Sequence, residues 1–334
     1  MFERKPLYPL LFIPMYLQVR WGGTKFKTIL KRKMPDDEDF YGEAWDVCDR
    51  PEVSSEVENG PWKGTSLHEL MNVYGKKTFT SDNFNGEYFP VMIKIIDAMK
   101  NLSIQTHPNH IQEKQFGENA EGKQEMWYIL QADRNAKIYV GLKPEVTHTH
   151  LAEAFNTPEI ANLVEEYLSF PNDAYFINYG CIHSIGGGNL VLEIQENSLT
   201  SFRIYDWGEV DFNGEPRPLQ LEEAMQCIDV QDRFPPRISA VSNVATTNCK
   251  YSLVNKCTAF SVEELQIIKP WPDSTRYSRS AHFLTAVRNS FFVEYDGKKY
   301  EVPYGRTILL PACLGEYVIL PNEQPFTLIR TILS

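Results

Sequence analysis

Long apolar runs, closely spaced cysteine pairs and a surplus of basic residues are all missing from this chain of 334 residues. No stretch approaches the roughly 18 to 20 consecutive apolar residues of a membrane span, so no membrane association is expected. The prolines of the segment Leu7 to Pro14 interrupt any helical signal-peptide core near the N-terminus, and a cytoplasmic protein is the expectation. The six cysteines (Cys48, Cys181, Cys227, Cys249, Cys257 and Cys313) are scattered without a Cys-x-x-Cys spacing, which predicts reduced thiols rather than a disulfide framework. Thirty-three Lys and Arg against 44 Asp and Glu leave a net charge of −11. That balance argues against a nucleic-acid partner, because phosphate neutralisation needs clustered cations. It leaves room for a small phosphorylated substrate, which one local basic pocket can hold.

What is present describes a folded chain of about two domains. Hydrophobic residues make up 43% and charged residues 23%, close to globular averages. Proline (21) outnumbers glycine (19), and 17 Tyr with 19 Phe favour short strands joined by ordered loops.

Residues 1 to 90 read as irregular, with turn signals at Gly22-Gly23, Pro35-Asp36-Asp37, Asn59-Gly60-Pro61 and Asn85-Gly86. One short helix is predicted from Ser66, whose hydroxyl can cap Leu67-His68-Glu69-Leu70-Met71. Strand signals then follow at Phe89 to Ile96, Leu102 to His107, Glu125 to Leu130, Lys137 to Leu142, Ala174 to Asn178 and Leu190 to Gln195. Short strands separated by Gly, Pro, Asn and Asp suggest a sandwich or barrel. Helical spacing of Leu151, Ala154, Phe155, Ile160, Leu163, Val164 and Tyr167 predicts a helical insert around 150–170, and Leu219 to Ile228 a second short helix. Phe234-Pro235-Pro236-Arg237 reads as a linker. It divides the chain into an N-terminal domain, 1–235, and a C-terminal β domain, 236–334. Within the latter, Asp296-Gly297 is a hairpin turn between two strand signals.

A faint repeat relates Ala174 to His183 with Thr307 to Glu316: an apolar strand, then a tight turn. Where the first copy has His183 the second has Glu316, with no Gln-x-His pair nearby. Only the first is expected to hold a metal.

The chemistry concentrates in Leu102-Ser103-Ile104-Gln105-Thr106-His107-Pro108. Period two in a strand puts Gln105 and His107 on one face. With Glu125 and His183 they form a set of imidazole nitrogens and carboxylate or amide oxygens suited to Zn²⁺ or a similar divalent ion. Taken singly, each has a plain structural reading: a loop histidine, a satisfied core histidine, a solvated strand end. His148 and His150 form a further His-x-His pair, read as a helix-start loop with Thr147 and Thr149.

A set of segments raises the weight of the joint pattern. Trp21-Gly22-Gly23, Gly42-Glu43-Ala44-Trp45, Phe89-Pro90-Val91-Met92-Ile93-Lys94 and the Leu102–Pro108 stretch come first. Gly122-Lys123-Gln124-Glu125-Met126-Trp127-Tyr128-Ile129-Leu130, Gly180-Cys181-Ile182-His183-Ser184-Ile185-Gly186, Leu192-Glu193-Ile194-Gln195 and Phe202-Arg203-Ile204-Tyr205-Asp206-Trp207 follow. In this order, over about residues 20 to 230, the chain resembles type I mannose-6-phosphate isomerase (phosphomannose isomerase), a zinc enzyme of the cupin superfamily, in its shorter bacterial branch. The resemblance implies a mainly β fold of two cupin-type (jelly-roll) β-barrels with a small helical insert, the second barrel metal-free and packed in support of the first.

It further implies one Zn²⁺ per chain held by Gln105, His107, Glu125 and His183, with Arg203 the catalytic arginine, Lys123 an active-site lysine and Glu193 a proton-transfer candidate. Ser103 and Lys94 match positions facing the phosphosugar, and Trp21, beside two glycines, is the aromatic pocket candidate; Trp45 and Trp127 are read as core. The implied reaction interconverts mannose 6-phosphate and fructose 6-phosphate through an enediol, in which a cation and Arg203 stabilise oxyanion charge. Three positions depart from the branch: Leu199 in Ser198-Leu199-Thr200, Asn109 after the His-Pro pair, and Asn178 in the turn before His183. They bear on which sugar phosphate is preferred. Rival readings are a cupin that binds a sugar phosphate without turnover, an isomerase of a related sugar phosphate, and a metal-dependent oxygenase, which would favour a histidine-richer site. The sequence is silent on oligomeric state.

Overall fold

The computed structural model describes residues 5–36, 38, 40–82, 84–210, 213–232, 235–238, 247–254, 257–324 and 326–334. They are mostly strand, in two compact units that are each discontinuous in sequence. One unit comprises Tyr16–Ala44 and Ile95–Ala240; the other comprises Met1–Met15, Trp45–Lys94 and Val241–Ser334. The expected domains, 1–235 and 236–334, are contiguous, whereas these units are assembled from contacts distant along the chain.

In the first unit, one antiparallel sheet runs in the order Val164–Leu168, Lys137–Leu142, His183–Ile185, Ile104–Thr106, Phe202–Tyr205. A second contains Arg237–Ile238, Ala174–Ile177, Glu125–Ala132 and Asn189–Glu196, followed by the Ile95–Ala98 part of Val91–Ala98. Apolar side chains of both sheets share one core: Ile138, Val140 and Ile185 from the first, Ile129, Tyr175, Ile177 and Val191 from the second. Sheet on sheet around a common core is how a sandwich or barrel buries alternating strands. Asn189–Glu196 is buried along its whole length, Asn189, Glu193, Gln195 and Glu196 included. Such burial of polar groups in a strand needs partners, and it marks where the chemistry sits.

The helical insert consists of His148–Ala154 and Ile160–Leu163. Thr147 caps the first helix, its hydroxyl accepting from His150 N while His150 Nδ1 accepts from Thr147 N. The His148/His150 pair is therefore at a helix start, as read from the sequence. Val164 and Tyr167, expected in helix, lie in the strand Val164–Leu168 paired with Lys137–Leu142. Spacing alone could not separate the two: a partner strand claims this β-branched and aromatic segment. Residues 1 to 90 hold more strand than expected, including Met15–Leu17 and Glu43–Val47. Of the expected linker, Phe234 lies outside the described residues, and Arg237 is in an edge strand with its guanidinium 2.7 Å from Asp173 Oδ1.

The second unit has a sheet ordered Leu10–Leu11, Thr307–Leu310, His282–Arg288, Phe326–Leu333, Phe260–Ile267, Cys249–Val254, and another ordered Trp271–Ser274, Glu316–Pro321, Phe291–Tyr295, Lys298–Val302. Leu284, Leu328, Ile308, Val293 and Ile319 fill the core between them. The hairpin turn is at Asp296-Gly297, both with positive φ (48° and 70°), the two-residue geometry that matches strand twist. Helix Leu67–Tyr74 begins with the expected Ser66 cap, completed by Glu69 as a capping box. Both copies of the repeat form strand, turn, strand, but His183 is fully buried and Glu316 exposed.

Candidate functional site

Strand register assembles half of the site. His183 is opposite Gln105, and Gln105 is opposite Arg203, across three neighbouring antiparallel strands. Directly opposed residues project to the same face, so the three side chains form one row. Gln105 Nε2 lies 3.3 Å from His183 Nε2, and Ser103 Oγ 3.4 Å from Gln105 Oε1. His107 follows the end of its strand and is anchored through its carbonyl, which accepts from Gly180 N at 2.9 Å.

The other sheet supplies the acidic half. Glu125 and Trp127 are two apart on Glu125–Ala132 and share a face, and Glu193 is paired opposite Trp127. Trp127 Nε1 donates to Glu125 Oε2 (3.1 Å) and to Glu193 Oε1 (3.0 Å). The other oxygen, Glu125 Oε1, lies 2.8 Å from Lys123 Nζ and 3.2 Å from His107 Nε2. His107, Glu125 and His183 are all buried, with one ligand atom of each lying within 4.8 Å of the others.

Burial sets the protonation states. It pushes His107 down to about 3, with the Lys123 ammonium adding to the effect, and it also lowers His183. Both imidazoles are neutral at neutral pH. Burial alone would raise Glu125, but Lys123 and the two histidines outweigh it and hold the carboxyl well below its usual range. His183 Nδ1 is 2.9 Å from Cys181 O, which fixes the proton there and turns the Nε2 lone pair toward Glu125 and Gln105.

This donor set fits a divalent ion. His107 Nδ1 is buried with no hydrogen-bond partner, and Nε2 has only the 3.2 Å approach of Glu125 Oε1. Unpartnered buried nitrogen is costly in a dry interior, and a metal would satisfy it. Two neutral imidazoles, one carboxylate and the Gln105 amide, which offers Oε1 when turned over, match the preferences of Zn²⁺.

Arg203 sits at the end of the row. Its Nη1 donates to Pro218 O (2.8 Å), its backbone N to Gln220 Oε1 (3.1 Å), and its buried Nε has no partner. Burial first, and then Arg217, draw its pKa down from the usual guanidinium value. Lys94 ends the segment Trp45–Lys94 of the other unit, where its ammonium lies 5.3 Å from the centroid of Trp45. Trp21, the aromatic pocket candidate, is buried in the apolar cluster that includes Trp127, Ile96 and Cys181. Its glycines serve packing: a Cβ on Gly22 would meet Gly42 N at 2.6 Å, and one on Gly23 would meet Asp97 Oδ1 at 2.6 Å.

Two of the three departures have local structural roles. Asn109 Oδ1 accepts from Ile111 N and Gln112 N, shaping the turn after Pro108. Asn178 Oδ1 accepts from Gln124 Nε2 at 2.7 Å, beside Glu125. Leu199 is 46% exposed.

Sequence reasoning passed over three contributors. Trp127 is core, as expected, and its indole N–H also meets two carboxylates; its place two residues after Glu125 is the signal for that. Gln220 and Pro218, which hold Arg203, lie in an otherwise unremarkable polar segment. His110 bridges Glu196 Oε1 and Glu113 Oε2, each at 3.0 Å, while Glu196 Oε2 accepts from Gln124 N and Tyr179 OH. This clamp ties the segment after His107 to the one carrying Lys123 and Glu125.

Comparison with known proteins agrees with this arrangement. Residues 10–151 match the family described as "Phosphomannose isomerase type I, catalytic domain". The mannose-6-phosphate isomerase ManA of Bacillus subtilis is 30% identical over 326 residues, covering 92% of this chain and 95% of the relative. The crystal structure of a mannose 6-phosphate isomerase from Bacillus subtilis is 27% identical and superimposes with a TM-score of 0.85 over 97% of this chain and 99% of that one. A mannose 6-phosphate isomerase bound with zinc and yttrium shares the fold at 13% identity, with a TM-score of 0.75 over 98% of this chain and 99% of the other. The chain has the two-barrel cupin fold of these enzymes and belongs to the type I mannose-6-phosphate isomerase family.

Proposed function

We propose that the protein interconverts mannose 6-phosphate and fructose 6-phosphate, as a zinc-dependent aldose–ketose isomerase working through an enediol. The observation that carries this reading is the buried His107–Glu125–His183 group, with a row of strand-opposed residues running from His183 through Gln105 to Arg203. The names of the relatives support the substrate pair, and the relative bound with zinc supports the ion.

In this reading Gln105, His107, Glu125 and His183 hold one Zn²⁺ per chain. The ion supplies Lewis acidity at the sugar oxygens. Arg203, with a buried and unpartnered Nε, binds an oxygen that becomes negative as the enediol forms; one such donor is commonly worth about 10²–10³ in rate. Glu193 and Lys123 provide the proton acceptor and donor at C1 and C2, a role worth roughly 10²–10⁴-fold. Both are buried, so water competes poorly for the transferred proton. Ser103, beside Gln105, contributes to holding the phosphosugar.

The second barrel is metal-free in this reading. Among the described residues, the His107–Glu125–His183 group is the only cluster suited to a metal. The cytoplasmic assignment is supported by six free cysteines. No helix among the described residues is long and apolar enough to cross a membrane.

The test is turnover of mannose 6-phosphate in D₂O, followed by NMR. The expected result is fructose 6-phosphate, with deuterium at C1 in only part of the product, because the proton taken from C2 is held by buried groups while it is moved. Metal-loaded protein that binds the sugar phosphate without converting it would replace this reading with a binding function.

A further inference from the structure

The single indole N–H of Trp127 meets two carboxylates, Glu125 at 3.1 Å and Glu193 at 3.0 Å. All three residues are buried. The ring also stands edge-on to His183, with centroids 5.4 Å apart and planes at 72°. Trp127 therefore touches one proposed metal ligand with its N–H and another with its ring, and it touches the proposed proton acceptor with the same N–H. A core tryptophan needs one acceptor for its N–H. Here register supplies two: Glu125 lies two residues back on the same face, and Glu193 lies across the ladder.

We propose that Trp127 is a positioning residue that couples metal binding to the orientation of Glu193. The inference rests on the reading of Glu125 and His183 as metal ligands. One donor shared between two acceptors gives each a partial bond, so whatever draws Glu125 away strengthens the bond to Glu193. A cation among His107, Glu125 and His183 competes for Glu125. The N–H then turns more fully to Glu193 and fixes the carboxylate that moves the proton. Conversely, weakening Glu193 as an acceptor returns the N–H to Glu125. Partners that orient metal ligands typically contribute 10–100-fold to metal affinity or activity.

The test is a double-mutant cycle of Trp127→Phe and Glu193→Gln, read by zinc affinity in chelator competition and by steady-state kinetics. Phenylalanine keeps an aromatic ring against His183 and removes the N–H. The expected result for W127F is a zinc affinity at least about threefold tighter, because the N–H that competes with the ion for Glu125 is gone, with kcat reduced and KM within about twofold at saturating zinc. E193Q should shift zinc affinity in the wild-type background by a factor at least threefold different from its effect in W127F, because the coupling passes through the N–H. Additive effects within about twofold, or wild-type zinc affinity in W127F, would overturn the proposal. Should W127F fail to fold, β-(3-benzothienyl)alanine at position 127, which replaces N–H with sulfur in a ring of nearly the same shape, carries the same expectations. Absence of zinc binding by the wild-type chain would overturn the metal-site reading itself, a result distinct from additivity in a zinc-binding chain.

Discussion

Arg203 and Gln105 stand directly opposite each other on neighbouring antiparallel strands, with a register shift in the ladder immediately beyond Arg203. That pairing puts the guanidinium on the face that carries His183, and the segment Pro218 to Gln220 holds it there.

Replacing Arg203 by alanine should lower kcat by about 10²–10³, the usual effect of removing a donor from a developing oxyanion. Zinc content, measured by elemental analysis, should stay unchanged because no ligand is touched. Undiminished turnover would remove Arg203 from the chemistry.

Glu125→Ala should abolish stoichiometric zinc binding and also destabilise the metal-free protein. The Lys123 ammonium lies 2.8 Å from Glu125 and is buried, so truncation leaves a charge without its ion partner. Breaking a buried pair in this way costs about 3–5 kcal/mol, read from urea unfolding in the presence of chelator. Equal metal-free stability of variant and wild type would contradict the pairing.

The His110 clamp predicts a pH dependence of stability. Hydrogen bonding to Glu196 raises its pKa to about 9 against an opposing effect of burial, and Glu113 adds to the rise. A folded pKa above the unfolded one means that the stabilisation is complete below about 6.5 and is lost as pH rises through about 9. In metal-free protein, the Tm advantage of wild type over His110→Gln should be largest near pH 6 and vanish above about pH 9.5. A difference that stays constant across that range would count against the clamp.

Gly23→Ala should destabilise the fold. The added Cβ would sit 2.6 Å from Asp97 Oδ1, on a carboxylate that also accepts from Lys25 N. Overpacking of this kind typically costs about 1–3 kcal/mol, visible as a lower urea midpoint with unchanged slope. A wild-type midpoint would show that Asp97 moves aside freely.

These outcomes also mark what can be read from a linear chain. Strand patterns located six strands of the first unit to within two residues and missed Val164–Leu168, His183–Ile185 and Phe202–Tyr205, while the Ser66 cap and the Asp296-Gly297 turn depend on neighbours only. Local signals also gathered the polar residues of Leu102–His107 into one candidate. What decides their use is not local. Trp127 meets Glu193 through the register of Glu125–Ala132 on Asn189–Glu196, a ladder that carries its own shift between Leu190 and Val191. The strand at Val164–Leu168 exists because Lys137–Leu142 offers it an edge. The discontinuous units likewise follow from contacts between segments far apart in the chain.

The most direct test is to strip the protein with chelator and titrate zinc back while following conversion of mannose 6-phosphate. The account predicts no turnover in the stripped protein and a linear rise that ends at one zinc per chain, with Gln105→Ala or His107→Ala failing to recover. Full turnover after complete metal removal, or stoichiometric zinc binding without turnover, would contradict it.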